Sequence, residues 1–247
     1  FSSDGFQLGG DGIGNAINQS YVSWNWKESA TAGFDIVSYA GDGGSGTSIS
    51  HSLSAVPHVM IVKNRSDGTA GWPVYHVSTG NSGCTFLNST DAFGDYGGGG
   101  YLKNPDSSTF ETYFTSSGVS VDASGDNYIV YCFTSKQGFS KFGKYSTNNN
   151  ADGPFIYTGF RPAWLMLKVS AGNTGGWDIY DNKRATGNGI IKRLQANASS
   201  TEATSDAVDF LSNGFKIRNT SGNQNGSGDT IIYMAFAEAP FVNSEGV

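Results

Sequence analysis

The 247-residue chain contains 35 glycines, 13% aromatic residues and only 15% charged residues, with a net charge of −6 and a pI near 4.9. Short apolar runs separated by Gly-, Ser-, Thr- and Asn-rich stretches predict many strands joined by tight turns, and there is too little Ala, Leu, Glu and Lys for long helices. The acidic balance supplies no basic stripe for nucleic acid, no run of about 18 apolar residues is present to enter a membrane, and two cysteines are too few for a disulfide scaffold or a zinc site.

In chain order, Phe1-Ser2-Ser3-Asp4-Gly5-Phe6-Gln7-Leu8 reads as a strand end, a glycine turn and a second strand, and Tyr21 to Trp26 reads as an apolar, aromatic-rich run. Both patterns return downstream, as Phe114 to Val121 with Tyr128 to Phe133, and as Phe210 to Ile217 with Ile231 to Phe236. Between them, Pro57-His58-Val59-Met60-Ile61-Val62-Lys63 returns as Pro162-Ala163-Trp164-Leu165-Met166-Leu167-Lys168, and Gly71-Trp72-Pro73-Val74-Tyr75 as Gly176-Trp177-Asp178-Ile179-Tyr180. The differences 162 − 57 and 177 − 72 both equal 105, so two separate motifs share one offset. The segment Gly189 to Ala196, which has helical potential, falls opposite Cys84 to Asn88 in the repeat and is expected to be an irregular strand.

The expected fold is therefore all-β, with tandem β-sandwich, jelly-roll-like repeats of about 105 residues: closing strands of a preceding repeat over 1–30, one repeat over 31–137, and a second with its C-terminal tail over 138–247. The chain opens inside a recurring pattern, so it is expected to belong to something longer. Residues 1–5 show neither the basic region nor the apolar core of a signal peptide.

The phrases YVSWNWK (21–27), PHVMIVKNRS (57–66), GWPVYH (71–76), GFSKFGKYS (138–146), DGPFIYTGFRPAWLMLK (152–168), DFLSNGFKIR (209–218) and IIYMAFAEAPFVNSEGV (231–247) are spread along nearly the whole chain. In them the sequence resembles a domain of unknown function that recurs in structural and tail proteins of marine tailed phages. The resemblance implies a place in the virion, on a tail fibre or the capsid surface, and display at that surface. Other virion proteins and a host cell-surface glycan or protein are then the expected partners. It brings no catalytic residues. By analogy with phage fibres, a homo-oligomer, a trimer, is expected. A purely structural capsid decoration or tail ornament and a polysaccharide-degrading spike are the competing readings.

No motif supports catalysis. Gly41 to Gly46 fits a dinucleotide fingerprint, but the β-branched and polar residues after it give no helix to receive a pyrophosphate. Gly138 to Tyr145 is one residue short of a P-loop and has Tyr145 where a magnesium-binding hydroxyl is needed. His51, His58 and His76 all fall in the first full repeat, yet His58 matches Ala163 and His76 matches Asp181, so the scaffold has no need of imidazole there. Asp91, Asp95, Glu111 and Asp122 lie in or beside turns with no spacing that selects a glycosidase pair. Asp122 to Asp126 and Gly226 to Asp229 could hold Ca²⁺ weakly, but ordinary turn chemistry is the expectation. Cys84 and Cys132 are expected as buried thiols in preference to a bridge, and no cofactor or metal is expected. The six N-x-[ST] sequons decide nothing in a chain so rich in Asn, Ser and Thr.

Aromatics that recur between repeats, such as Trp72 with Trp177 and Trp26 with Phe133 and Phe236, are expected in the core. Those without a counterpart are the better binding candidates: Phe93, Tyr96 and Tyr101, which interrupt a glycine-rich stretch that the second repeat lacks.

Overall fold

The computed structural model describes residues 5–10, 12, 14–96, 101–114, 121–185 and 187–239. Among these there is no helix. The first half carries β1 (Phe34–Ala40), β2 (Ser45–Ser50), β3 (Val59–Asn64), β4 (Pro73–His76), β5 (Gly80–Phe86), β6 (Leu102–Lys103), β7 (Thr109–Tyr113) and β8 (Asn127–Phe133). The second half carries β9 (Ser140–Ser146), β10 (Phe155–Tyr157), β11 (Pro162–Ala171), β12 (Trp177–Asp181), β13 (Ile190–Gln195), β14 (Ala203–Leu211), β15 (Gly214–Ile217) and β16 (Thr230–Ala237). The segment with helical potential is β13, a strand with a register shift against β14.

The strands pair antiparallel into a five-stranded sheet ordered β1-β8-β3-β4-β5, a small sheet ordered β2-β7-β6, and an eight-stranded sheet ordered β10-β15-β14-β13-β12-β11-β16-β9. Five neighbours in the large sheet, β9-β16-β11-β12-β13, follow the same order as the five-stranded sheet, strand for strand. Past β13 the large sheet curls back, so that Phe210, Phe215 and Ile156 cover Leu165, Leu167 and Tyr233 and the sheet rolls into a nearly closed barrel. In the first half the small sheet does the covering, placing Leu102 and Phe110 over Met60, Val62 and Val130.

A third core lies between the two halves. Alternate residues of a strand point to opposite faces, and β3 is apolar from Val59 to Val62 because each face meets a core there. Met60 and Val62 enter the outer core of the first half, while Val59 and Ile61 meet Trp164, Met166, Ile179, Ile232, Met234 and Phe236 from the second. The runs β11 and β16 split in the same way, with Leu165, Leu167, Ile231 and Tyr233 turned into the barrel. Each such side chain contributes roughly 1.5–3 kcal/mol of burial. The halves are thus joined by a shared apolar layer: a run apolar on both faces does not reveal whether its second face is covered by its own half or by the other.

Among the described residues of 1–30, where closing strands are expected, no strand precedes β1, and the bridge between Ser29 and Phe34 ties this segment to the first sheet. Its residues nonetheless alternate: Trp24 and Trp26 turn into the shared core, whereas Ser23 and Asn25 face outward. An alternating segment with no neighbouring strand keeps its burial pattern but has no ladder to make it a strand.

Candidate functional site

The three rings singled out around the glycine-rich stretch pack back on the protein. Tyr101 is 2% exposed, sits in the core beneath β6 and β7, and its hydroxyl donates to the Tyr96 carbonyl, so its ring presents no face to a partner. Tyr96 is half-buried, edge-on to Phe86 at 4.8 Å, and its hydroxyl donates to the Ala92 carbonyl at 3.2 Å. Phe93 is also half-buried, and its backbone N–H donates to the Ser170 carbonyl of β11 at 3.0 Å, which places it at the junction of the halves. Residues 97–100 of the loop lie outside the described residues.

A different pair of rings stands in the open. On β10, Phe155 and Tyr157 are 47% and 59% exposed, while Ile156 between them is buried in the barrel. Residues two apart on a strand share a face and stand about 7 Å from one another. β10 is an edge strand, paired only with β15, where Phe155 lies opposite Lys216 and Tyr157 opposite Gly214. Gly214 is required there: a Cβ would fall 2.1 Å from the Ile156 carbonyl oxygen. The absence of a side chain also leaves the flank of Tyr157 open.

Across the seam of the nearly closed barrel lies the other edge strand, β9. Lys141 reaches over from β9, its Nζ donating to the Tyr157 carbonyl at 2.9 Å and lying 5.2 Å from the centre of the Tyr157 ring. The seam opens into a groove of about 360 Å³ lined by Ser135, Gln137, Ser140, Lys141, Tyr157 and Thr158, among others. Gly159, at φ +87°, turns the chain away at its end. An aromatic platform beside hydroxyl, amide and ammonium groups is suited to a polyhydroxylated ligand, whose C–H faces stack on rings while its hydroxyls bond to the polar rim. The alternation Phe-Ile-Tyr between Pro154 and Gly159 was the available sequence signal, overlooked because it resembles core.

The polar groups considered for chemistry serve the fold. His76 is buried, with Nδ1 accepting from the Ser78 N–H at 3.1 Å and Nε2 donating to the Tyr233 carbonyl at 3.2 Å; burial, more than any neighbour, pushes its pKa down to about 4. Burial also lowers His58, whose Nδ1 accepts from the Ser135 N–H at 2.8 Å. His51 stacks on Phe110. Asp122 is buried and accepts from the Asp42 N–H and the Thr112 hydroxyl, both at 3.0 Å. Glu111 accepts from Tyr113 and Asn104, both at 2.7 Å, and Asp91 from the Ser89 hydroxyl at 2.7 Å. Asp229 accepts from the backbone and side chain of Asn173, pinning two loops together. Gly41 to Gly46 is a turn leading into β2, and Ser140 to Tyr145 lies in β9. Cys84 and Cys132 are free, buried thiols whose pKa burial raises. Among the described residues no group of three or more His, Cys, Asp or Glu is placed to hold a metal, and no helix is long and apolar enough to cross a membrane.

Neither a curated protein nor a solved structure matches this chain. A family match covers residues 1–240, nearly the whole of it, and the chain belongs to the family described as Domain of unknown function (DUF7483).

Proposed function

We propose that this chain is a non-catalytic display segment of a phage particle, a tail-fibre or spike part built from two tandem copies of one β unit, and that it binds a host-surface glycan along the Phe155–Tyr157 face. The observation that carries the binding reading is the exposed aromatic pair beside a polar groove that Lys141 spans. The matching strand orders and the 105-residue offset support the tandem copies. Three layers of core behind a short edge strand make a rigid support, which lowers the entropy lost on binding. Half-buried Phe93 and Tyr96 have less ring to offer, and Tyr101 has none. A trimeric assembly remains part of this reading, with light scattering on the purified chain as its check.

The test is adsorption. The double substitution Phe155→Ala with Tyr157→Ala should weaken binding to host cells or their isolated surface polysaccharide by about tenfold or more, since buried-on-binding aromatics dominate such contacts. Phe93→Ala with Tyr96→Ala should leave it unchanged. The reverse outcome would return the contact to the glycine-rich loop. Electron microscopy of labelled particles distinguishes a fibre tip from a capsid ornament, and release of reducing sugar from the polysaccharide would replace the non-catalytic reading with a degrading one.

A further inference from the structure

We infer that residues 20–28 and the Lys63–Trp72 surface together form a docking site for a third unit of this same fold, carried ahead of residue 20 on the same polypeptide, with which the two described units close into a three-membered ring. The inference rests on the tandem-copy reading and on how the two units touch.

Their contact is head-to-tail. From the first unit, His76 reaches the Tyr233 carbonyl on β16, the Phe86 carbonyl accepts from the Trp177 indole N–H at 2.7 Å, and the Thr90 carbonyl accepts from Lys168 Nζ at 2.9 Å. A twofold arrangement would return the same contacts in the opposite direction, so that Asp181, the counterpart of His76, would face β8. It does not. Asp181 Oδ2 instead accepts from the Trp24 indole N–H at 3.1 Å, on the ribbon whose sequence matches β8 and β16. The first unit grips the closing strand of the second, and the second grips residues 20–28. Head-to-tail contacts of this kind close into rings.

Three further observations fit the ring. The matched aromatics Trp26, Phe133 and Phe236 meet in a triangle, with centroids 6.4, 5.4 and 6.0 Å apart, as one residue from each of three units would around an axis. Among the described residues no backbone N–H or C=O of residues 20–28 pairs with another backbone group, although the matching strands β8 and β16 are paired on both edges. Finally, the first unit bears an uncovered copy of the buried junction. Lys168 lies over Trp177 and both are sealed by the first unit, whereas Lys63 lies over Trp72 at 5.1 Å, reaches the Asp67 carbonyl of its own loop, and leaves the indole half-exposed. Ile36 is 37% exposed where its counterpart Phe142 is 7%.

The missing unit must bring a β1-like and a β3-like strand to the two edges of the ribbon, and a β4–β5 end to Lys63 and Trp72. Connectivity places it on the same polypeptide. In both described units the closing strand follows its own β1 and β3 or their counterparts; β8 leads by a short link into β9, and Trp26 leads by a similarly short link into Phe34.

Hydrogen–deuterium exchange with oxidative footprinting compares the natural polypeptide with the 247-residue chain. In the natural polypeptide the amides of residues 21–27 should exchange at least about a hundredfold more slowly than in the 247-residue chain, and Trp72 should be shielded to the level of Trp177. Equal exchange in both would overturn the inference, as would a natural polypeptide with no such unit ahead of the ribbon. Protection that appears in the 247-residue chain only as its concentration rises would assign the surface to a second copy and overturn the same-polypeptide source. If the ring fails, superposing β1, β3, β4, β5 and β8 on β9, β11, β12, β13 and β16 with Trp72 on Trp177 would still uphold the tandem reading; if that superposition fails, both fall.

Discussion

Trp177 and Trp72 hold matching places in the two five-strand sets, each under a lysine from the neighbouring strand, yet one is sealed in the shared core with its N–H bonded to the Phe86 carbonyl and the other is half in solvent. The difference comes from what lies opposite. A matching place in a strand set fixes what a residue packs against within its own half, while its burial is decided by the other half, so the same Gly-Trp motif is core in one half and surface in the other.

Truncation gives the largest contrast. Trp177→Ala removes a full indole from a packed layer and takes one of two donors from the Phe86 carbonyl, which keeps the Ser89 N–H, for an expected loss of about 3–5 kcal/mol, whereas Trp72→Ala should cost less than about 2 kcal/mol in the 247-residue chain. Urea unfolding of both variants measures this, and equal costs would break the comparison.

The next contrast is in pH. His76 and Asp181 also occupy matching places. The folded pKa of His76, about 4, lies below the ordinary 6.5, so as pH falls the unfolded chain takes up the proton first. Stability should be level above pH 6.5 and fall by about 1.4 kcal/mol per unit down to about pH 4, a loss on the order of 3 kcal/mol, with buried His58 adding in the same direction. Asp181 is pushed up by burial but pulled further down by Arg184, which bonds it at 2.6 Å, and its net shift is below the usual 3.8. Its contribution is present above that value and is lost only at more acid pH. His76→Gln should therefore flatten the unfolding profile between pH 6.5 and 4 and leave the more acid limb in place.

A smaller contrast separates the glycine-rich loop from the aromatic edge strand β10. Tyr101→Phe keeps the buried ring but removes its bond to the Tyr96 carbonyl, for about 1 kcal/mol. Phe155→Ala and Tyr157→Ala should each shift stability by no more than about 0.5 kcal/mol, because so much of each ring is already in water. A larger loss would mean that the edge strand needs those rings to fold.

Much of the fold was legible in the sequence. The offset of 105 located β3 with β11 and β4 with β12, and the Phe-x-Ser-x-Gly motif at 210–217 marked the β14–β15 hairpin. Three features were not legible. Apolar runs such as Val59 to Val62 show that both faces are covered but not by what, so the shared core was hidden. Tyr101 was taken for a loop residue because glycines precede it, although the Leu102–Lys103 strand that follows carries it into the core. Phe155 and Tyr157 look like core residues in composition, and only the edge position of β10 turns them outward.

That edge position carries a hazard of its own. A strand bearing two exposed rings and an open row of backbone groups is a template for another chain to add to, the first step of strand-to-strand aggregation. Here the template is cut short. Pro154 denies an N–H just ahead of β10, the strand is only three residues long, and Lys141 places a charge on the Tyr157 carbonyl that an incoming strand would need. The ammonium that borders the groove therefore also guards copies of this chain against sticking to one another, and neutralising it, as in Lys141→Met, would expose the rings and the edge to self-association together.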